Sequence, residues 1–170
     1  QNEQELEQIW HTGNWAVIGT VDPVQPQKLQ SPKPYWLQRA AELADLILIE
    51  ADGSKRLPCK VPASHEPVIL PQTDVVVAVL GLSALNRPLK DCCFRLEKAT
   101  ELLSVTESHP LTREHMATIF ASGQGLRKAT NNSEYVVVLN QCDNEDRKNA
   151  GEQISDILCG LDSTINHIIL

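Results

Sequence analysis

The chain has 170 residues, of which 42% are hydrophobic, and its formal net charge is −7. A chain of this length buries roughly 70% of the surface that its unfolded form exposes, which is enough for one compact domain. The negative charge argues against a nucleic-acid-binding surface, which needs a basic stripe, and no apolar run approaches the roughly 18 residues of a membrane helix.

The first third of the sequence alternates short apolar segments with polar ones. An amphipathic pattern predicts a helix over 2–10, and the apolar run at 14–21 predicts a buried strand. Four prolines within 22–34 predict a loop. The helical pattern resumes over 35–44, and the run at 46–50 predicts a second buried strand.

The rest of the chain continues this alternation of strands and helices. Unbroken apolar strands are typical of a sheet that helices cover on both faces, and helices between strands make such a sheet mostly parallel. The predicted fold is therefore α/β, with a mostly parallel sheet and helices on both faces, in a single domain over 1–170. The remaining predicted strands are 74–82, 134–140 and 165–170, and the remaining helices are 94–105, 112–121 and 144–161.

The cysteines and the first residues indicate the compartment. The five cysteines include no Cys-x-x-Cys pair, which favours free thiols in a reducing cytoplasm and no metal bound by them. The opening segment has no initiator Met and none of the basic and apolar regions of a secretory signal. We therefore interpret the chain as a fragment or processed piece of a longer cytoplasmic protein.

Acidic and basic side chains crowd the end of the second predicted strand. If that strand continues to Asp52, then Glu50 and Asp52 point to the same face and can hold Mg²⁺, which leaves positions for phosphate oxygens. Gly53 lets the backbone turn sharply or approach a ligand closely. Lys55 and Arg56 can meet an anion. The alternative is an ordinary strand end whose acids cap the next turn and whose bases are solvated.

The loop after the strand at 134–140 resembles the N-K-x-D base-recognition loop of GTP-binding proteins. Asn140 and Asp143 match that pattern, and Gln141 stands where lysine is usual. The Asp carboxylate of such a loop accepts two hydrogen bonds from guanine, while the Asn helps to hold the loop. A four-letter pattern with one mismatch also arises by chance. Its place directly after a buried strand is where ligands bind in α/β proteins.

A phosphate-binding loop is absent from the sequence. The pattern G-x-x-x-x-G-K-[ST] occurs nowhere, and the basic, glycine-bearing segment at 123–128 lacks its spacing and is predicted to be a surface turn. Phosphoryl transfer depends mostly on positioning the phosphates. We therefore expect residues 1–170 alone to have negligible NTPase activity.

The segment "LILIEADGSKRLPCKVPASHEPVI" at 46–69 resembles the E-A-D-G-[AS]-K-[RG]-x-P-x-K-x-P-x-x-H-E-P signature of the YqeC-like family. The resemblance extends over most of 16–143. This family is associated with molybdenum-cofactor enzymes as accessory proteins for selenium-dependent hydroxylases. Cys59 stands where the family has an aliphatic residue, which argues against a catalytic role for this thiol.

The resemblance implies a P-loop NTPase-like core whose first strand and phosphate loop precede residue 1. It makes Glu50 and Asp52 the catalytic, Mg²⁺-binding acids, and it makes Asn140 and Asp143 the base-recognition loop. The residue pattern at the strand end adds Gly53, Lys55 and Arg56 as nucleotide-binding candidates. Within the signature, Lys60, His65 and Glu66 are candidate contacts to a substrate or phosphate. For His65 and Glu66, which lie between two prolines, the alternative is a purely structural role in the loop.

The expected function is that of a nucleotide-binding accessory factor, NTP-hydrolysing when intact, in the maturation of selenium-dependent molybdenum hydroxylases. GTP or ATP, Mg²⁺ and the hydroxylase or its maturation proteins are the expected ligands and partners. One alternative is a non-catalytic scaffold with a degenerate nucleotide fold that binds a partner protein. Another is a nucleotidyl or phosphoryl transferase that uses the same acids, with a second substrate near His65.

Overall fold

A computed structural model describes residues 7–9, 15–130 and 132–170. The chain forms two compact units, Gln1–Ile49 and Glu50–Leu170. The expectation of a single domain over the whole chain stays a prediction.

The first unit contains a small hairpin and a helix. Strands β1 (Thr20–Val21) and β2 (Leu29–Gln30) pair antiparallel, and β2 lies within the loop predicted over 22–34. Helix α1 spans Pro34–Leu43 and begins with a proline. The first N–H groups of a helix have no partner within it, so the N–H that proline lacks is not missed there. The helix predicted over 35–44 is confirmed, and the predicted loop is confirmed except for β2 and Pro34. Residues 7–9 are helical, and the rest of the helix predicted over 2–10 lies outside the described residues.

Two buried strands predicted in the first third of the chain are not observed. Residues 15–19 and 46–50 belong to no strand, and Trp15, Leu46 and Leu48 are 77%, 75% and 87% exposed. An apolar run becomes a strand only where neighbouring strands bond its backbone and pack its side chains. In the described part of the first unit, the two-residue β1–β2 ladder is the only such pairing. The predictions are therefore wrong here, except that Thr20–Val21 forms a strand, which is exposed and not buried.

The second unit is built on two parallel sheets. Its main sheet has three strands, and a separate two-stranded pair sets Cys59 beside Cys93. In chain order the elements are β3 (Cys59–Lys60), β4 (Val75–Gly81), a 3-10 turn (Leu82–Ala84), α2 (Leu89–Cys92), β5 (Cys93–Phe94), α3 (Leu96–Leu103), α4 (Arg113–Ala121), β6 (Glu134–Asn140), α5 (Glu145–Leu161) and β7 (His167–Ile169). The main sheet has the order β4–β6–β7, all parallel. The six elements predicted in this region are confirmed, although Phe94 belongs to a strand and not to the following helix.

Side-chain caps fix where the two longest helices of the second unit, α4 and α5, begin. The Thr112 hydroxyl accepts a hydrogen bond from the His115 N–H, and His115 Nδ1 accepts one from the Thr112 N–H. This reciprocal arrangement is a capping box at the start of α4. The Asn144 side chain accepts from the Arg147 N–H at the start of α5.

The main sheet is packed on one face in the described part of the unit. The buried face carries Ala78, Leu80, Tyr135, Val137 and Leu139, which join one core with residues of α4 and α5. On the other face, the side chains of Val75, Val77 and Val79 are 45%, 55% and 49% exposed. The α/β class and the parallel strands are confirmed, whereas a second helical layer is not found among the described residues of this unit.

The outer edge of β4 is open along most of its length. The Glu134 N–H donates to the Asp74 carbonyl at 2.8 Å, so the backbone groups of every second residue from Asp74 onward face β6. Those of Val75, Val77 and Val79 face away from β6. On the side of β4 that faces away from β6, the described residues form one backbone hydrogen bond, from the Gly81 N–H to the Pro58 carbonyl at 2.7 Å.

All five cysteines are free thiols, as predicted. Cys59 is 1% exposed, and a hydrogen bond with the Cys93 thiol, together with burial, raises its pKa well above the usual value. A buried thiol of raised pKa is a poor nucleophile. The structure therefore supports a packing role for Cys59.

Candidate functional site

The turn at 54–57 holds two basic residues in an unusual backbone conformation. The Leu57 N–H donates to the Ser54 carbonyl at 3.0 Å, and the Ser54 hydroxyl donates to the Leu57 carbonyl at 2.8 Å. Between them, Lys55 and Arg56 have φ angles of 51° and 66°. Such left-handed conformations of non-glycine residues cost on the order of 1–3 kcal/mol each and gather at functional sites.

Gly53 does not provide the sharp turn that the sequence predicts for it. Among the described residues, no glycine has a positive φ, and a Cβ built on Gly53 would meet only Glu50 Oε1, at 3.7 Å. The reversal lies two residues later, at Lys55 and Arg56. What Gly53 supplies is its carbonyl oxygen, which accepts a hydrogen bond from Lys60 Nζ at 2.9 Å.

Lys60 is a buried cation, 4% exposed, at the centre of an ion-pair network. Its Nζ lies 3.0 Å from Asp52 Oδ2 and 3.0 Å from Glu66 Oε2. Arg95 Nη2 lies 3.0 Å from the other oxygen of Glu66. A buried charge is costly unless it is paired and hydrogen-bonded. The network therefore holds together the loop that carries Asp52, the loop that carries Glu66 and the end of β5, which Arg95 follows directly.

Glu66 is held ionised within this network. Burial alone would raise its pKa, but hydrogen bonds from Arg95, from the Ala63 N–H and from Lys60 lower the pKa to about 2. A carboxylate of such low pKa does not act as a proton donor near neutral pH. In this structure Glu66 therefore positions Lys60 and Arg95.

Glu50 and Asp52 occupy different environments. Asp52 is paired with Lys60, whereas Glu50 is exposed and forms no ion pair with another described residue. Carboxylate oxygens are the donors that Mg²⁺ takes from a protein, together with water and phosphate oxygens. The two acids fit this chemistry, with Glu50 as the carboxylate whose oxygens remain accessible. In the part of the chain that the structure describes, no group of three or more His, Cys, Asp or Glu side chains is arranged around a metal position.

Lys128 is a site residue that the sequence did not indicate. Its ammonium donates to the carbonyl oxygens of Ala63 at 2.8 Å, Ser64 at 2.6 Å and Glu66 at 2.8 Å. These bonds use all three of its donors and tie the predicted surface turn at 123–128 to the loop at 63–66. His65 lies exposed in that loop, and its ring is bonded to none of the described residues. The sequence around Lys128, a lysine in a glycine-bearing turn, does not predict a contact with so distant a loop.

The base loop is held by a residue outside its motif. The Asn140 side chain accepts from the Gln141 N–H at 2.8 Å, and Gln141 has a φ of 63°. Arg147 Nη1 donates to the Gln141 carbonyl at 3.1 Å and lies 2.7 Å from Asp143 Oδ2. The Asp143 side chain is 71% exposed, so it is reachable from solvent. The spacing of four residues between Asp143 and Arg147 is the signal that could have found this pair.

Gly81 joins the two motif-bearing segments. It ends β4 beside Asn140 of β6, and a Cβ in its place would lie 2.9 Å from Pro58 Cβ and would collide with the Gln141 side chain. The Ser83 hydroxyl donates to the amide oxygen of that same Gln141. The segment leading to Lys60 and the base loop therefore flank Gly81 at the carboxyl ends of two parallel strands, where ligands bind in α/β proteins.

Replacing Glu66 by Gln is expected to lower the free energy of unfolding by about 3 kcal/mol, because it leaves the buried Lys60 with one acid instead of two. The matched control is Glu101→Gln, since Glu101 forms an exposed pair with Lys98 at 2.8 Å and such pairs contribute little. Urea unfolding at neutral pH measures both variants. Equal small losses would contradict the stabilising role of the network.

The wild-type chain and Glu66→Gln should also differ in how their stability depends on pH. Because the pKa of Glu66 lies near 2 in the folded chain, below its usual 4.5, its stabilisation is present above pH 4.5 and is lost as the pH falls toward 2. Stability of the wild-type chain should therefore fall more steeply over this window than stability of Glu66→Gln.

Comparisons with known proteins identify the family of the chain. The family model described as "YqeC protein" matches residues 1–97, a range that includes the Lys60 network as far as Arg95 but ends before the base loop. No solved structure matches the chain. Among the described residues, none of the helices has the length and apolar character needed to cross a membrane.

A curated relative agrees with the family model. The protein "Uncharacterized protein YqeC" of Escherichia coli (strain K12) is 32% identical over 85 residues, which are 49% of this chain and 33% of that protein. The match thus covers about a third of the relative's length. Since the family model spans more than half of the 170 residues, the chain belongs to the YqeC family.

Proposed function

We propose that the chain is part of a cytoplasmic, nucleotide-binding accessory factor, NTP-hydrolysing when intact, in the maturation of selenium-dependent molybdenum hydroxylases. Nucleotide binding is supported by the junction at Gly81, where Pro58, which follows the acidic and basic segment, and Gln141 of the base loop both approach the end of β4. This edge of a parallel sheet is the usual ligand position in α/β folds. The pathway rests on family membership and on the signature at 46–69, and the hydroxylase or its maturation proteins are the proposed partners.

The open edge of β4 supports a P-loop NTPase-like core that lacks one strand here. A parallel strand added beside β4 would bond to the outward-facing backbone groups of Val75, Val77 and Val79. Because parallel strands end at the same edge of a sheet, such a strand would end next to Gly81. A phosphate loop that followed it would then face both motif-bearing segments.

The residues of this chain have separate roles in binding the metal and the nucleotide. Glu50, together with Asp52, would hold Mg²⁺, which supplies positive charge to phosphate oxygens when it is bound. Lys55 and Arg56 attract the phosphates, with Gly53 supporting them through its bond to Lys60. Lys60 and Glu66 keep this loop in place, and His65 stays accessible to a second substrate. Asn140 holds the base loop, and Asp143 accepts hydrogen bonds from the base of GTP in preference to ATP.

One observation favours the second candidate function, a non-catalytic scaffold that binds a partner protein. The valine row of β4 leaves an apolar strip exposed on the main sheet, and exposed apolar patches commonly mark protein interaction sites. A scaffold would bind its partner through this strip and would not need Glu50 or Asp52. The variants below separate the two functions.

Glu50→Gln in the full-length protein is expected to weaken binding of Mg-nucleotide by roughly tenfold and to leave the melting temperature unchanged, since Glu50 is exposed and unpaired. Calorimetric titration with and without Mg²⁺ measures the effect, which should vanish without the metal. Glu107→Gln, another exposed acid, is the matched control. Wild-type affinity in Glu50→Gln would make this acid an ordinary surface residue.

Asp143→Ala is expected to reduce GTP affinity, because a guanine base then loses the acceptor for its two donors, at roughly 1–3 kcal/mol. ATP affinity should barely change. Asp146→Ala, in the first turn of α5, controls for loss of charge near the base loop. Equal loss for GTP and ATP would indicate a collapsed loop, and no loss for either would remove base recognition from residues 140–143.

A further inference from the structure

Three cations surround the ring of Phe94. Lys55 Nζ lies 5.1 Å from the ring centroid, Lys60 Nζ lies 5.7 Å from it, and the Arg95 guanidinium carbon lies 4.7 Å from it. These distances are within the range of cation–π attraction. Phe94 stands beside Lys60 in the β3–β5 pair, so the ring is fixed in place by the sheet. A single ring therefore holds together three positive charges from two separate loops and a strand.

The charges in this cluster do not balance. Lys60 and Arg95 occupy the carboxylates of Asp52 and Glu66, and Lys128 adds a further cation through the backbone of the Glu66 loop. Lys55 has no acidic partner among the described residues. The four cations Lys55, Lys60, Arg95 and Lys128 therefore exceed by one the three carboxylates that act on them, Asp52, Glu66 and Glu97, in a chain whose net charge is −7. A local positive excess of this kind attracts anions.

Arg95 also presents a hydrogen-bond donor without an acceptor. Its Nε is buried, and no described group accepts from it. An unsatisfied buried donor costs roughly 1–3 kcal/mol, and a native structure rarely keeps one without a reason. The Arg95 side chain as a whole is 30% exposed, and a guanidinium group binds oxyanions through paired N–H groups, so an oxyanion that enters beside this side chain and reaches Nε would remove this cost.

The backbone at these basic residues is strained. Arg95 has a φ of 64°, in the same left-handed region as Lys55 and Arg56. Strain of this type persists where the surrounding structure imposes it, and it is concentrated at ligand sites. Two basic loops that both adopt the costly conformation beside one aromatic ring indicate a built site, since solvated surface lysines and arginines need no such geometry.

We infer that Lys55, Phe94 and Arg95 form a binding site for a phosphate-type oxyanion. Lys55 supplies an exposed ammonium, Arg95 supplies directed N–H donors, and the Lys60 network beside them supports both segments. The anion is either free in solution or part of the phosphate chain of a nucleotide. Because Lys55 also belongs to the proposed nucleotide site, the inference rests on the proposed function in that respect.

The test is a titration of ¹⁵N-labelled chain 1–170 with sodium pyrophosphate in the absence of Mg²⁺, followed by NMR. The Nε–H signal of Arg95 and the backbone N–H signals of Lys55 and Arg56 should shift and saturate together. Arg127 is the matched internal control, because it also stacks on a ring, Tyr135 at 4.4 Å, while its Nε faces Asp162 at 3.5 Å. Its Nε–H signal should not move.

The variants Lys55→Gln and Arg95→Gln should each weaken pyrophosphate binding roughly tenfold, as expected for loss of one charge-assisted contact, while Arg127→Gln should not. If Arg95→Gln unfolds, Lys55→Gln decides, because Lys55 forms no ion pair with another described residue. No saturable shift at Arg95, equal shifts at Arg127, or unchanged affinity in a folded Lys55→Gln chain would overturn the inference.

A parallel titration with ATP separates the two sources of the anion. Similar affinities for pyrophosphate and ATP would indicate a free anion, and much tighter ATP binding would indicate the phosphate chain of a nucleotide; both results support the site. Pyrophosphate binding that persists while the full-length protein binds no Mg-nucleotide would overturn the proposed function and leave this inference standing. Mg-nucleotide binding by the full-length protein without any pyrophosphate binding would overturn this inference and leave the proposed function standing.

Discussion

The ammonium group of Lys60 is the constraint on which the second unit of the structure depends. It is buried, and burying it is tolerable only because Asp52, Glu66 and the Gly53 carbonyl surround it. Glu66 extends the network to Arg95, and Lys128 secures the loop that carries Glu66. A loop of opposite charges, which at a surface would be solvated and variable, thereby becomes a fixed support beneath Lys55 and Arg56.

This support has a consequence for binding. Asp52 and Glu66 pair with Lys60 and Arg95. The charged side chains of the loop that have no oppositely charged partner among the described residues are therefore Glu50, Lys55 and Arg56. They are the ones suited to a metal and to an anion. Gly81 sets this loop close to the base loop, because only a residue without a side chain lets Pro58 and Gln141 approach the end of β4 from two sides. Packing thus brings together segments that are some eighty residues apart in the sequence.

The sequence was informative where local pattern and tertiary packing agree. Strands β4 and β6 are unbroken apolar runs that pair with each other in register, and Thr112 and Asn144 cap helices as their residue types predict. The strand predicted at 46–50 is not observed, because an apolar run without a pairing partner does not form a strand. Glu50 and Asp52 therefore do not lie on one face of a strand. The roles of Gly81, Arg95 and Lys128 depend on contacts between distant segments, for which a single sequence holds no signal.

In the proposed function, both loops beside Gly81 bind one nucleotide. Amide hydrogen exchange of the full-length protein, with and without Mg-GTP, is the sharpest test, because exchange reports each backbone segment separately. Slower exchange at 53–57 and at 140–143 together is expected when the nucleotide is bound. Protection confined to other segments, with both loops unchanged, would overturn a nucleotide site shared by the two loops.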